Sequence, residues 1–151
     1  MARSEAAIAA QAQPGFVWPV RVYYEDTDSG GIVYYANYLR FFERARTEWL
    51  RSLGLQQETL KHEAGLMFVV RRALLDFVAP ARLDEQLSVS VRPQRVARTY
   101  VDLAQEALCQ GQLRCAAEVR IACLRAADFR PAPMPDGLRR QIIQNNRKSD
   151  L

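Results

Sequence analysis

The chain has 151 residues, 49% of them hydrophobic and 25% charged, the size and balance of one globular domain whose core needs no disulfide staples. Lys and Arg number 21 against 17 Asp and Glu, and the formal net charge of +4 suits an anionic ligand without approaching the dense basic stripe of a nucleic-acid binder. Cys109, Cys115 and Cys123 form no C-x-x-C pair and His62 is the single histidine, so no zinc cluster is expected. No run reaches the roughly 18 apolar residues of a membrane span, and the N-terminus lacks the continuous apolar segment of a secretory signal. No membrane insertion is expected, and the cytoplasm is the expected location.

Residues 1–15 are rich in Ala and Gln and read as a flexible extension. From Phe16 to Tyr24 the chain is aromatic and β-branched, with Val20, Val22 and Tyr24 alternating, the pattern of a strand. Pro19 places that strand at an edge or a start. Glu25-Asp26-Thr27-Asp28-Ser29-Gly30-Gly31 then reads as tight turns.

Between Ala36 and Leu53 the period becomes helical. Tyr38, Phe42, Ala45, Trp49 and Leu53 form an apolar stripe broadened by Leu39 and Leu50, and Gly54 is a natural stop. A shorter helix is expected over Gln56 to Glu63. Beyond Gly65 the period falls to two. Leu66 to Val78, then Leu87-Val89-Val91, Val101-Leu103 and Leu113 to Cys123, read as four antiparallel strands. Cys115 and Cys123 fall at even spacing in the last run, the place of buried thiols. Pro131, Pro133 and Pro135 end the sheet, and residues 131–151 form a tail with a polar helix expected over Leu138 to Arg147. One long helix with a wide apolar stripe must bury it. A curved antiparallel sheet wrapped around that helix, over residues 16–130, is the economical solution, an α+β domain.

The segment that carries chemistry joins the first strand to the long helix. Backbone N–H groups at a helix start carry partial positive charge and stabilise an oxyanion. Glycines allow a ligand close to the backbone. A carboxylate a few residues upstream then acts on a carbonyl, directly or through water. A thioester suits these parts, because its leaving thiolate needs little help from a proton. Asp-rich glycine turns are also common as plain structure, and physics alone favours that reading here.

The stretch Val20-Arg21-Val22-Tyr23-Tyr24-Glu25-Asp26-Thr27-Asp28-Ser29-Gly30-Gly31-Ile32-Val33-Tyr34, with Asn37-Tyr38 and Phe42-Glu43-Arg44-Ala45-Arg46-Thr47-Glu48, resembles the 4-hydroxybenzoyl-CoA thioesterase family. Within it, the resemblance is to the YbgC-like (tol-pal system-associated) acyl-CoA thioesterases. Phe68-Val69-Val70-Arg71-Arg72 and Ala79-Pro80-Ala81-Arg82-Leu83-Asp84 resemble the same branch, and the match spans Trp18 to Leu124. The resemblance implies the hotdog fold and hydrolysis of an acyl-CoA thioester to free acid and CoA. It implies Asp28 as the catalytic carboxylate, nucleophile or general base, and Tyr35 as the helix-start residue whose backbone N–H polarises the carbonyl. YbgC-like members usually carry histidine where this chain has Tyr35, so no imidazole serves here, and the branch's substrate preference does not carry over automatically.

Substrate-binding positions are expected at Gly31, Val33, Tyr38, Val70, Arg71, Arg98 and Thr99. The CoA phosphates need cations, for which Arg71, Arg72, Arg95 and Arg98 are candidates, with Thr99 and Tyr100 beside the pantetheine or acyl passage. Asp26, two positions from Asp28, points the opposite way in an extended chain and is expected to be structural. Glu43 is expected in a surface ion pair with Arg46 or Arg40. His62 has no nucleophile elbow beside it, and Gly30-Gly31 lacks the spacing of a phosphate loop. No metal or cofactor is expected beyond the CoA of the substrate. Expected partners are the substrate and a second or fourth copy of the chain, with acyl carrier protein a further candidate. The alternative of another class is a non-catalytic binder of acyl-CoA, acyl carrier protein or phospholipid near the cell envelope. A hotdog dehydratase, the enzymatic rival, normally wants a histidine that is not available near Asp28.

Overall fold

The computed structural model describes residues 15–149. The extension expected over residues 1–15 therefore lies, up to residue 14, outside the described residues. Strand β1 (Phe16–Arg21) leads through two turns to α1 (Tyr38–Ser52) and α2 (Gln57–Ala64). Four strands follow: β2 (Leu66–Phe77), β3 (Gln86–Val96), β4 (Tyr100–Cys109) and β5 (Gln112–Arg125). Helix α3 (Asp136–Ser149) closes the chain. The strands form one antiparallel sheet in the order β1-β3-β4-β5-β2.

The alternation seen in the sequence becomes the two faces of this sheet. Leu87, Val89 and Val91 of β3, Val101, Leu103 and Ala107 of β4, and Cys115, Ala117, Val119, Ile121 and Cys123 of β5 are all buried. They meet the α1 stripe of Tyr38, Phe41, Phe42, Ala45, Trp49 and Leu50. Burying one such large apolar side chain contributes about 1.5–3 kcal/mol, and this shared interior decides where α1 sits. Leu39, counted in the stripe from its spacing, is exposed and flanks a cleft instead.

Three local results differ from the sequence pattern. The first strand stops at Arg21, and Tyr24–Asp26 fold into a 3-10 turn. The long helix starts at Tyr38, after a second 3-10 turn over Tyr35–Asn37. Strand β2 carries a bulge, since Val70 pairs with Ile121 and Arg72 with Arg120, leaving Arg71 as the extra residue. The bulge exchanges odd and even positions. By register, Phe68 and Val70 before it and Ala73, Leu75 and Phe77 after it lie on the face of the buried β5 residues, although Val70, Ala73 and Phe77 stay exposed at the edge. The C-terminal helix, expected to be polar, buries Leu138 and Ile142, one turn apart, and packs against β3.

Candidate active site

Asp28 sits at the tip of a tight hairpin. Thr27 pairs with Val33. The Asp28 amide donates to the Ile32 carbonyl at 2.9 Å, and the Gly31 amide to the Asp28 carbonyl at 3.1 Å. Gly31 holds φ +79, where a side chain would be strained. The Gly30 amide donates to Asp28 Oδ1 at 2.8 Å, which orients an exposed carboxyl group through one oxygen. A Cβ on Gly30 would stand 3.2 Å from that oxygen, so glycine here leaves the carboxyl its place.

A buried aspartate staples this hairpin to the helix start. Asp26, 3% exposed, accepts from the Tyr23 amide at 2.8 Å and from Asn37 Nδ2 at 2.7 Å. The Tyr34 amide donates to the Asp26 carbonyl at 2.9 Å. Asp26 and Asp28 thus look opposite ways, one into the protein and one into solvent, as their spacing suggested. Tyr34 is extended, and Tyr35 opens the turn that runs into α1. At such a start the first amides have no intrahelical acceptor. The structure therefore sets the Asp28 carboxylate and the Tyr35 end of the helix on two arms of one stapled loop.

A third segment braces both arms. The Val33 amide donates to the Ala81 carbonyl at 2.8 Å and the Leu83 amide to the Gly31 carbonyl at 3.3 Å, and Ile32 bridges Arg82. Gly31, Val33 and Tyr38 thus lie together beside Asp28 and Tyr35. Val33 and Tyr38 are buried. Burial raises the Tyr38 phenol, and a hydrogen bond from the backbone at Ala81 partly opposes the rise.

The remaining predicted positions lie elsewhere on the monomer. Val70 and Arg71 sit at the β2 bulge, both exposed. Arg98 is exposed in the β3–β4 connection, where its carbonyl accepts from the Met134 amide, and Thr99 follows it with its carbonyl bonded to the Cys123 amide. Arg95 and Arg120 lie over the Tyr100 ring at 5.7 and 4.0 Å, and Arg120 also pairs with Asp102 at 2.7 Å. His62 is exposed and pairs with Glu58 at 3.4 Å. Cys109, Cys115 and Cys123 are free and buried, with burial pushing Cys115 up to about 12 and Cys123 to about 11.

Two features escaped the sequence reading. A cleft of about 330 Å³ lies between α1 and β2, lined by Leu39, Glu43, Arg46, Thr47, Phe68 and Val70, among others. Leu39, four residues after Tyr35, is the lining residue nearest in sequence to the helix start, and neither Asp28 nor Tyr35 lines the cleft. Of the two partners expected for Glu43 in a surface pair, Arg46 is not a surface residue. Arg46 is buried and donates from Nη1 to Gln105 Oε1 at 3.0 Å. Burial lowers its guanidinium, and the Glu43 carboxylate opposes the shift. Its hydrogen bond to the distant Gln105 compensates the burial, and nothing local in the sequence signals that partner. The second feature is exposed apolar surface at the sheet edge. Val70, Leu74 and Phe77 on β2 are about half exposed, and the Phe77 ring meets Tyr35 edge-on at 6.0 Å.

An antiparallel five-stranded sheet around one long helix, with an acidic glycine hairpin at the helix start, defines a hotdog domain of the thioesterase class. The family model for the thioesterase-like superfamily matches residues 22–142, and the chain belongs to that superfamily. It is 43% identical over 121 residues to the acyl-CoA thioesterase YbgC of Haemophilus influenzae, covering 80% of this chain and 89% of that protein. It is 40% identical over 124 residues to the acyl-CoA thioester hydrolase YbgC of Escherichia coli, covering 82% and 92%. Its fold matches the crystal structure of a 1,4-dihydroxy-2-naphthoyl-CoA thioesterase from Synechocystis with a TM-score of 0.79 at 25% identity, covering 85% of this chain and 95% of that one.

Proposed function

We propose that this protein is an acyl-CoA thioesterase, hydrolysing an acyl-CoA to the free acid and CoA. The observation that carries the proposal is the exposed, oriented Asp28 carboxylate stapled through Asp26 to the start of α1. The curated acyl-CoA thioester hydrolases that match most of the chain support it. In this reading the thioester carbonyl lies over the Tyr35 amide, which stabilises charge as it develops on oxygen. Asp28 then takes one of two parts. As nucleophile it forms an acyl-aspartate anhydride, expelling the CoA thiolate, and water hydrolyses the anhydride. As base it takes a proton from the water that attacks the carbonyl, and the thiolate leaves from the tetrahedral intermediate. Neither route uses a metal or a cofactor beyond substrate CoA.

The acyl group enters the cleft along α1 past Leu39, and CoA runs outward toward Arg71, Arg98 and Thr99. Those residues are spread over the monomer, so a second copy joined along β2 is proposed to complete the site, as a homodimer or a pair of dimers. Acyl carrier protein is an alternative carrier of the acyl group. Three free, buried cysteines support a reducing compartment, the cytoplasm. A thiol-release assay over short, long and aromatic acyl-CoAs tests the function. The cleft is at the small end of ligand pockets, so short or aromatic acyl groups are expected to turn over faster than long chains. No hydrolysis of any member would leave a binder of acyl-CoA, acyl carrier protein or phospholipid in its place.

A further inference from the structure

The segment between β2 and β3 braces both arms of the Asp28–Tyr35 loop, yet residues 79–85 form no helix or extended strand of their own. The far end of the segment is tied to the end of β1 by main-chain bonds between Val22 and both Asp84 and Glu85 and by the Arg21 guanidinium on the Asp84 carbonyl. One ion pair adds a side-chain hold from β5. Arg114 of β5 meets Glu85 with Nη1 on Oε1 at 3.3 Å and Nη2 on Oε2 at 3.2 Å. The same guanidinium donates to the Pro80 carbonyl, and the Arg114 carbonyl accepts from the Val78 and Ala79 amides at 2.9 and 3.1 Å. Glu85 in turn accepts from the Arg82 amide at 2.6 Å and from the Cys109 thiol at 3.3 Å. The pair therefore grips the segment at two points, at Pro80 and at Arg82. Between those grips lies Ala81, which holds Val33, while Arg82 itself bridges Ile32 and Leu83 sits on Gly31 just beyond.

The grip has a cost that stability alone does not explain. Arg114 Nε is buried with no hydrogen-bond partner among the described residues. A buried N–H left unpaired costs free energy, and here the guanidinium is turned to serve Pro80 and Glu85 instead. Burial pushes the Glu85 carboxyl up, but the Arg82 amide, the Cys109 thiol and Arg114 outweigh it and hold the group below its ordinary range.

We propose that Glu85 and Arg114 are positioning residues for the hydrolysis, a latch that fixes segment 79–85 and so sets the Asp28 carboxylate against the Tyr35 amide. The proposal rests on the reading of Asp28 and Tyr35 given above. Reacting groups displaced by about 1 Å lose on the order of 10² in rate, so the latch acts on kcat rather than on the affinity for CoA.

The test compares Glu85→Ala, Glu85→Gln, Arg114→Lys and Asp28→Asn in the full-length protein by steady-state kinetics and by hydrogen exchange. Glu85→Ala is expected to lower kcat by about 10- to 100-fold with KM changed less than about threefold. Exchange is expected to speed up in peptides spanning residues 27–34 and 79–85 while β3 to β5 keep their protection. Glu85→Gln keeps an acceptor for the Arg82 amide but loses the second oxygen that Arg114 and Cys109 use, and is expected to recover only part of the loss. If Glu85→Ala fails to fold, Arg114→Lys decides, because one ammonium cannot serve both carboxylate oxygens and the Pro80 carbonyl. Unchanged kcat and unchanged exchange in the folded variants, beside an inactive Asp28→Asn, would overturn the latch alone. An active Asp28→Asn would overturn the underlying reading, whatever the exchange shows.

Discussion

The part proposed for Tyr35 belongs to its backbone amide, so changes to the ring and changes to the N–H separate cleanly. Tyr34 stands at φ −61 and ψ 131, the extended region that a residue before proline needs. Tyr35 is the first residue of its turn, a position where proline fits without displacing a helical hydrogen bond. Tyr35→Pro thus removes one N–H with the backbone path kept. It is expected to lower kcat by about 10²-fold or more, the effect of losing one oxyanion donor. Tyr35→Phe and Tyr35→Ala, which keep the amide, are expected to stay within about tenfold, with Ala reporting the lost contacts to Tyr34 and Phe77. Kinetics and melting temperatures of the three variants check this. A proline variant as active as the alanine one would remove the amide from the mechanism.

Strand β2 lies at the open edge of the sheet beside β5, and it is 12 residues long with Val70 and Leu74 exposed. A long apolar edge is a ready template for another strand, and soluble proteins blunt or cover such edges. Its pairing with a second copy is proposed here as the cover. The doubled variant Val70→Lys/Leu74→Lys places charge along that edge. Light scattering after size exclusion is expected to show a dimer or larger for the wild type and a monomer for the variant. Turnover is expected to fall with the dimer. A monomeric, fully active wild type would contradict the shared site. The bulge at Arg71 on this element was hidden in the sequence, because Val69 and Val70 are both apolar and either fits an inward place.

Across the whole molecule, what the sequence made legible was what repeats. The helical period of Tyr38, Phe42, Ala45 and Trp49 and the twofold period of residues 113–123 each arise from one element facing one core, so pattern alone located them. Asp26 was legible as structural from its spacing to Asp28, while the roles of Asp28 and Tyr35 came through family resemblance. What stayed hidden depends on partners far apart in the chain. Arg46 looked like a surface charge because Gln105 is 59 residues away, and the Glu85–Arg114 latch spans 29. The apolar part of the docking of α3 comes from Leu138 and Ile142, too few to stand out in a polar segment, beside Arg139 on the Val96 and Ala97 carbonyls.

If the Asp28 carboxylate performs the hydrolysis, Asp28→Asn removes the reacting group itself. An asparagine side-chain oxygen still accepts from the Gly30 amide, so the hairpin is kept while the carboxylate is lost. Thiol release is measured on the best acyl-CoA for the wild type, with circular dichroism to confirm the fold. A fall in kcat of at least about 10²-fold is the predicted result. A folded Asp28→Asn variant with turnover near wild type would contradict the account.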